Sequence, residues 1–509
     1  MRTLLTGKTL GAASLQADSL FLKKGANMAI LSNIEPQRVF YYFEEICKIP
    51  HASYNSAPIA EYLQGFAKEH SLRCHRDEYD NIVIFKDASA GYEDAETVII
   101  QGHSDMVAEK VVGSQHDFAT DSLKLLVEGD YLKADGTTLG GDDGIAVAYA
   151  LAMLEDATLE SPALEVVITA NEEVGLLGAT QMDMSILKGT RLINLDSEEE
   201  GVLLAGCAGG LTACCVLPST YQEDTNICFE ITIDGLNGGH SGIEINKNRA
   251  NANILMGRLL HMLDTQMEYS LAQVNGGNKD NVIANATVAL ILTKANNRNL
   301  LNSLIQSLQL DLRNEYLGTD DNITISINDC GEATKAVLQP ADKAKSIFFL
   351  MNVPFGVQKM SGNIVGLVET SANLGCVQLN SKGMFIKCSV RSLHQSAKLA
   401  LAEKIEYLTE FLGGEFTISG EYPAWEYQPK SSLQETMTKV YQAMTGKEME
   451  VIAIHAGLEC GIFYDKIANL DCVSLGPDVF DVHSPNERLS ISSVERTWKY
   501  LRQVLAKLK

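Results

Sequence analysis

Short, almost entirely apolar segments alternate with longer segments of helical spacing through residues 37–210. The apolar segments include TVIIQGH, ALEVVITA and RLINLD, and one of the helical segments is QRVFYYFEEICKI. Strands that are apolar on both sides must be covered on both faces, which is typical of a parallel sheet between helices. The pattern therefore predicts an α/β fold with a mainly parallel sheet flanked by helices.

A different pattern occupies residues 211–423, where hairpins alternate with long helical segments. The hairpin ETSANLGCVQLNSKGMFIKCSVRS, for example, is followed by the helical segment HQSAKLALAEKIEYLTEFLG and the strand EFTISGEYP. This order predicts antiparallel α+β structure in which a β-α-β-β-α-β unit is used about twice. Because the α/β pattern returns afterwards, we expect an α+β lid domain inserted into a single α/β domain.

The composition argues against two classes of partner. The net charge is -24 with a pI near 4.8, whereas binding to nucleic acid needs clustered Lys and Arg. No apolar run approaches the roughly 20 residues of a membrane helix. The eleven cysteines form no C-x-x-C pair, and many lie in apolar runs, so we expect free thiols in a reducing, cytoplasmic location.

Acidic and imidazole side chains follow the predicted strands or occupy glycine-rich turns. They are His103 and Asp105 in GHSDMV, Asp142 in LGGDDG, Glu172 and Glu173 in NEEVG, Asp196 in NLDSEEEG, and His483 in VHSP. Loops at the carboxyl ends of strands converge on one crevice in doubly wound sheets. Each motif alone is explained as well by a turn, a helix cap or a solvated charge run. Together they form a nitrogen and oxygen donor set that suits Zn²⁺, with enough ligands for two ions that share a carboxylate.

The motifs GHSDMV, TTLGGDDGIAVA, NEEVG, INLDSEEEG, GGHSG and HSPNE resemble those of the dinuclear zinc peptidases of the M20 metallopeptidase family. Within that family, CAGG, NGGHSGIEI, HAGLECG and GPDVFDVHSPNE resemble the group that cleaves aminoacyl-histidine dipeptides. The resemblance extends from about residue 35 to the C-terminus. It implies a zinc-peptidase-like α/β fold with an inserted lid.

The resemblance also implies roles for the residues at the predicted strand ends. His103 and Asp196 would hold one Zn²⁺, Glu173 and His483 would hold a second, and Asp142 would bridge the two. Asp105 would lie behind His103 and orient its ring, and Glu172 would be the general base. A non-proline cis peptide bond between Asp142 and Asp143 is expected. Mn²⁺ or Co²⁺ could replace Zn²⁺ at such sites.

By the same resemblance, the inserted domain would supply substrate contacts. His240 would stabilise the oxyanion, either within its own chain or from the partner in a homodimer. Asn281 and Arg391 would bind the carboxylate of the peptide, and Gly457 would contact it through its backbone. His455 and Glu459 would line the pocket or simply pack in the core.

These implications predict a metallodipeptidase, most specifically one for Xaa-His dipeptides, with two Zn²⁺ per subunit. An N-acyl amino acid deacylase or a broad-specificity dipeptidase would keep the metals and change the substrate. A zinc-binding protein without catalysis is the alternative of a different class. The expected divisions are an N-terminal extension (1–30), the first part of the catalytic domain (31–210), the lid and dimerisation domain (211–423) and the second catalytic part (424–509).

Overall fold

The computed structural model describes residues 30–509, so the predicted extension lies outside the described residues except for its last position. The part before residue 208 alternates helices with strands. Its elements are α1 (Gln37–Cys47), α2 (Ala57–Glu69), β1 (Arg73–Arg76), β2 (Ile82–Lys86), β3 (Val98–His103), β4 (Leu125–Glu128), β5 (Tyr131–Ala134), α3 (Gly141–Glu155), β6 (Leu164–Thr169), α4 (Leu177–Gln181), β7 (Arg191–Asn194) and β8 (Val202–Cys207).

The middle part carries longer strands. Its elements are β9 (Gly209–Leu217), β10 (Tyr221–Asp234), α5 (Ala252–Gln266), β11 (Ser270–Gly276), β12 (Thr287–Thr293), α6 (Arg298–Glu315), β13 (Thr324–Leu338), α7 (Pro340–Asn352), β14 (Gly356–Met360), β15 (Val368–Asn380), β16 (Gly383–Ser392), α8 (Gln395–Phe411) and β17 (Glu415–Tyr422). The last part comprises α9 (Ser432–Thr445), β18 (Glu450–Ile454), α10 (Glu459–Lys466), β19 (Asp471–Ser474), β20 (Val479–Phe480), β21 (Arg488–Ser490) and α11 (Ile491–Leu505).

The first sheet has the order β1-β2-β6-β3-β7-β19-β8-β18 and combines strands from both ends of the chain. The neighbouring pairs among β6, β3, β7 and β19 are parallel, as is the pair of β8 and β18. The pairs β1–β2, β2–β6 and β19–β8 are antiparallel. All residues of β3 and β6 are buried, as expected for strands covered on both faces. The predicted α/β fold is confirmed.

Helix α3 packs between this sheet and other helices. Residues 143–154 are all buried, so the helix is apolar around its circumference rather than along one stripe. Tyr149 stacks on Trp498 of α11 with ring centroids 6.0 Å apart. A Cβ atom at Gly102 of β3 would lie 2.6 Å from the Ala146 Cβ, so only glycine lets α3 approach the strand this closely.

The second sheet has the order β13-β10-β12-β11-β15-β16-β9-β17, with β14 paired to β15. One β-α-β-β-α-β unit runs β10-α5-β11-β12-α6-β13. The other begins with β9 and continues with α7, β15, β16, α8 and β17, and the two units join where β11 pairs with β15. The strands change from the first sheet to the second between Cys207 and Gly209, although the domain division itself stays a prediction.

None of the helices within residues 30–509 is both long enough and apolar enough to cross a membrane.

Candidate metal centre

Three neighbouring parallel strands end at one point of the first sheet. Strand β3 lies between β6 and β7, and its last residue is His103. Glu172 and Glu173 follow the end of β6, and Asp196 follows the end of β7. Because the three strands run in the same direction, these side chains meet at the carboxyl edge of the sheet.

Asp142 stands at the centre of the cluster. Its Oδ1 lies 3.2 Å from Nε2 of His103, and its Oδ2 lies 3.1 Å from Nε2 of His483. The peptide bond between Asp142 and Asp143 is cis, as the motif resemblance implied. Asp142 therefore directs one carboxylate oxygen to each of two histidines that are far apart in the sequence.

Further carboxylates lie close to each histidine. His103 Nε2 is 3.5 Å from Asp196 Oδ1 and 4.0 Å from Glu172 Oε2. His483 Nε2 is 3.0 Å from Glu173 Oε1. Three sets of three donors have their ligand atoms within 4.8 Å of one another: His103–Asp142–Asp196, Asp142–Glu173–His483 and His103–Glu172–Glu173. The first two sets share Asp142.

Asp105 lies behind His103, but its carboxylate does not make the closest contact with the ring. Nδ1 of His103 is 2.9 Å from the backbone oxygen of Asp105 and 3.6 Å from its Oδ1. The carboxylate instead accepts hydrogen bonds from the backbone N–H of Glu172 and from the hydroxyl of Ser53. Asp105 thus orients His103 through its carbonyl and fixes the Glu172 loop through its side chain.

Glu487 holds the loop that carries Asp142. It is 3% exposed, and its two carboxylate oxygens accept hydrogen bonds from the backbone N–H groups of residues 139–142, at 2.7–3.3 Å. Sequence reasoning assigned no role to Glu487 or to Ser53. The only signal for Glu487 is its place in HSPNE, four residues after His483.

Replacing Glu487 with Gln is expected to lower the free energy of unfolding by about 2 kcal/mol, because an amide NH₂ would face backbone donors that need an acceptor. Urea denaturation measures this change. Glu435→Gln is the matched control, since Glu435 is exposed and pairs only with Lys439 on α9. Equal stability of the two variants would contradict the role of Glu487.

The proximity of so many acids perturbs their proton affinities. Burial raises the pKa of Glu172 well above its usual range, and Asp196, Glu459 and Glu173 add to the shift. Burial likewise raises the pKa of Asp196 to about 7. Hydrogen bonds with Asp142 and Glu173 raise the pKa of His483 to about 11. Both effects show that the site strongly favours added positive charge.

Divalent cations fit this donor set. Imidazole nitrogens and carboxylate oxygens are the ligands that Zn²⁺ and similar ions take from proteins. When all four are ionised, Asp142, Glu172, Glu173 and Asp196 carry as much negative charge as two such cations carry positive charge. The two overlapping sets of donors that share Asp142 match a pair of ions bridged by one carboxylate.

A cleft of about 590 Å³ opens over the cluster. Asp142, Glu172, Glu173, Asp196 and His483 line it together with His240 and Gly457. His240 of the same chain thus lines the cleft. Glu198 and Glu199 also line the cleft and were not predicted as site residues.

Arg391 and Asn281 are not among the described residues that line the cleft. Asn281 lies next to His240, because its backbone oxygen accepts a hydrogen bond from the N–H of Ser241. Arg391 is 8% exposed and donates from Nη1 to the hydroxyl of Tyr422. The substrate-binding roles of these residues stay predictions.

Comparisons with known proteins agree with the motifs. The model of peptidase family M20/M25/M40 matches residues 99–507. The cytosol non-specific dipeptidase of Escherichia coli (strain K12) is 36% identical over 94% of this chain and 99% of its own length. The crystal structure of aminoacylhistidine dipeptidase from Vibrio alginolyticus superposes with a TM-score of 0.85 at 32% identity, covering 93% of this chain and 97% of that one.

A more distant structure shares the fold alone. Aminopeptidase PepT from Bacillus cereus ATCC 10987 has a TM-score of 0.53 at 13% identity, with coverage of 93% of this chain and 99% of that one. The family match spans most of the sequence and includes every residue of the candidate metal centre. The chain therefore belongs to peptidase family M20/M25/M40, a family of metal-dependent peptidases, and is a peptidase.

Proposed function

We propose that this peptidase is a dipeptidase that uses two Zn²⁺ ions held by His103, Asp142, Glu173, Asp196 and His483. The observation that carries the proposal is the placement of Asp142, whose two oxygens contact two different histidines. His103 and Asp196 would hold one ion, Glu173 and His483 the other, and Asp142 both. When bound, such ions lower the pKa of a water molecule and polarise the peptide carbonyl.

Glu172 is the general base of the proposed reaction. Its carboxylate lies 4.0 Å from His103 Nε2 and lines the cleft without belonging to either set of three donors around Asp142. A base in this position takes the proton of the attacking water and returns it to the leaving amine. His240, which lines the same cleft, would stabilise the negative oxygen of the tetrahedral intermediate.

Arg391 is the proposed ligand of the substrate carboxylate. It is buried, its Nε atom has no hydrogen-bond partner, and none of the acidic side chains within residues 30–509 forms an ion pair with it. A buried positive charge without an anionic partner is costly, so an anionic ligand would stabilise it. A grip on a free carboxylate restricts the enzyme to short peptides.

Two observations bear on the substrate. The C-terminal motifs and the structural relative from Vibrio alginolyticus favour Xaa-His dipeptides. The relative from Escherichia coli carries the name of a non-specific dipeptidase and favours a broader range, which is the second candidate. That name also supports a cytosolic location for this chain, together with the free cysteines of the described residues. The homodimer stays a prediction.

A substrate panel with the zinc-loaded enzyme tests the proposal. We expect free dipeptides to be hydrolysed with a kcat/KM at least about 10²-fold above that of their N-acetylated forms. The kcat/KM for Xaa-His dipeptides should exceed that for dipeptides with other C-terminal residues. Equal kcat/KM for dipeptides that end in His and for those that end in other residues would select the broad-specificity candidate. Equal kcat/KM for free and N-acetylated dipeptides would contradict the assignment as a dipeptidase.

A further inference from the structure

Four residues form a row across the second sheet. Ser371 of β15 is opposite Arg391 of β16, Arg391 is opposite Gly210 of β9, and Gly210 is opposite Tyr422 of β17. Directly opposed residues of antiparallel strands point to the same face of the sheet. The next row, which contains Ala372, Val390 and Leu211, packs in the core beneath the helices. The row with Arg391 therefore lies on the face away from these helices.

Gly210 leaves room for Tyr422 to reach Arg391. A Cβ atom at Gly210 would lie 2.7 Å from Cε1 of the Tyr422 ring, closer than real contacts allow. With glycine at this position, the ring lies across β9, and the Tyr422 hydroxyl accepts a hydrogen bond of 2.9 Å from Arg391 Nη1. The absence of a side chain at Gly210 thus lets the Tyr422 hydroxyl reach the Arg391 guanidinium.

The loop before α10 contacts both ends of the row. At one end, Nε2 of His455 is 2.7 Å from the hydroxyl of Ser371. At the other end, a Cβ atom at Gly457 would lie 2.5 Å from Cε2 of Tyr422, so the Tyr422 ring is packed between two glycines on different elements. Lys398, which is fully buried, donates to the backbone oxygen of Tyr422 and fixes the end of β17. Packing therefore fixes the ring of Tyr422, and a hydrogen bond fixes its backbone.

Two buried polar atoms, one in this row and one in the loop that contacts it, have no partner among the described residues. They are Nε of Arg391 and Nδ1 of His455. One side of the Arg391 guanidinium is thus held by a neutral hydroxyl, while its buried Nε atom has no hydrogen-bond partner within residues 30–509. This arrangement suits bidentate binding of a carboxylate, which requires a guanidinium plane of fixed orientation.

We propose that Tyr422 is a positioning residue, which orients the Arg391 guanidinium towards the carboxylate of the substrate. The inference rests on the proposed function, in which Arg391 binds that carboxylate. Tyr422 acts through its hydroxyl and through its fit between Gly210 and Gly457. Its effect therefore falls on substrate binding and leaves the chemistry at the metal centre unaffected.

The test compares Tyr422→Phe with the wild-type enzyme. We expect KM for a free dipeptide to rise about tenfold with little change in kcat, because the lost hydrogen bond involves a charged donor. The low activity on the C-terminal amide of the same dipeptide, which has no carboxylate, should not change. Gly210→Ala, which would displace the ring, should give the same pattern. Tyr464→Phe is the matched control, because it removes a similar hydroxyl contact with Gln428.

Arg391→Lys separates this inference from the function on which it rests. A raised KM in Arg391→Lys together with an unchanged KM in Tyr422→Phe would overturn the role of Tyr422 alone. An unchanged KM in Arg391→Lys would overturn the carboxylate grip itself. If Tyr422→Phe lost activity equally on the dipeptide and on its amide, the substitution would have a general structural effect. That result would also overturn the positioning role.

Discussion

Replacing Glu172 with Gln is expected to reduce kcat by roughly 10²- to 10⁴-fold, the usual contribution of a general base. The amide has nearly the shape of the carboxylate but cannot take a proton from water. The Glu172 side chain is 14% exposed, and its burial raises its pKa well above the usual range. Steady-state kinetics on a free dipeptide measures the loss.

The metal content of Glu172→Gln should equal that of the wild-type enzyme, because Glu172 is not one of the five proposed ligands. The only donor set of the described residues that includes Glu172, with His103 and Glu173, does not contain the bridging Asp142. Glu199→Gln is the matched control, since Glu199 lines the same cleft and has no assigned role. Unchanged turnover in Glu172→Gln would refute the base. Loss of metal along with activity would mean that Glu172 is a ligand instead. A catalytically silent zinc-binding protein would show metal without hydrolysis even in the wild type.

Replacing Asp142 with Ala is expected to have a larger effect. Both carboxylate oxygens would be lost, and each contacts a histidine from a different half of the cluster. We expect the metal content to fall below two ions per chain after dialysis. The loss in kcat should exceed the roughly 10²- to 10⁴-fold that a general base contributes, since water activation and carbonyl polarisation both depend on the ions.

Asp135→Ala is the matched control for Asp142→Ala. Asp135 is an exposed aspartate that pairs with Lys124. It should retain full metal content and activity. Circular dichroism of both variants checks that the fold persists. Two bound ions in Asp142→Ala would contradict the bridging role even if activity were lost.

The sequence predicted those parts of the fold and site that depend on local pattern. Apolar runs that end in a polar residue predicted that His103 and Asp196 lie at strand ends; β3 ends at His103, and β7 ends at Asn194, two residues before Asp196. The parallel order made the convergence of these side chains expected. The assignment of individual ligand roles came from the resemblance of the motifs and not from spacing. Strand β2 runs antiparallel to β6, and β8 runs antiparallel to β19. The path of the connecting segments sets these directions, and no local sequence pattern predicts them.

Residues that act through distant contacts were not predicted. Glu487 binds the backbone of a loop about 345 residues earlier in the chain, so its function depends on a contact that only the folded protein makes. Tyr422 is similar, because its partners Arg391, Gly210 and Gly457 come from three other segments. In the sequence, both residues look like ordinary members of a turn and a strand.

Anomalous diffraction at the zinc edge, from crystals of the zinc-loaded enzyme, tests the central claim most directly. Two peaks are expected on opposite sides of the Asp142 carboxylate, one beside His103 and Asp196 and the other beside Glu173 and His483. A single peak, or peaks that lie away from Asp142, would contradict the shared two-metal centre.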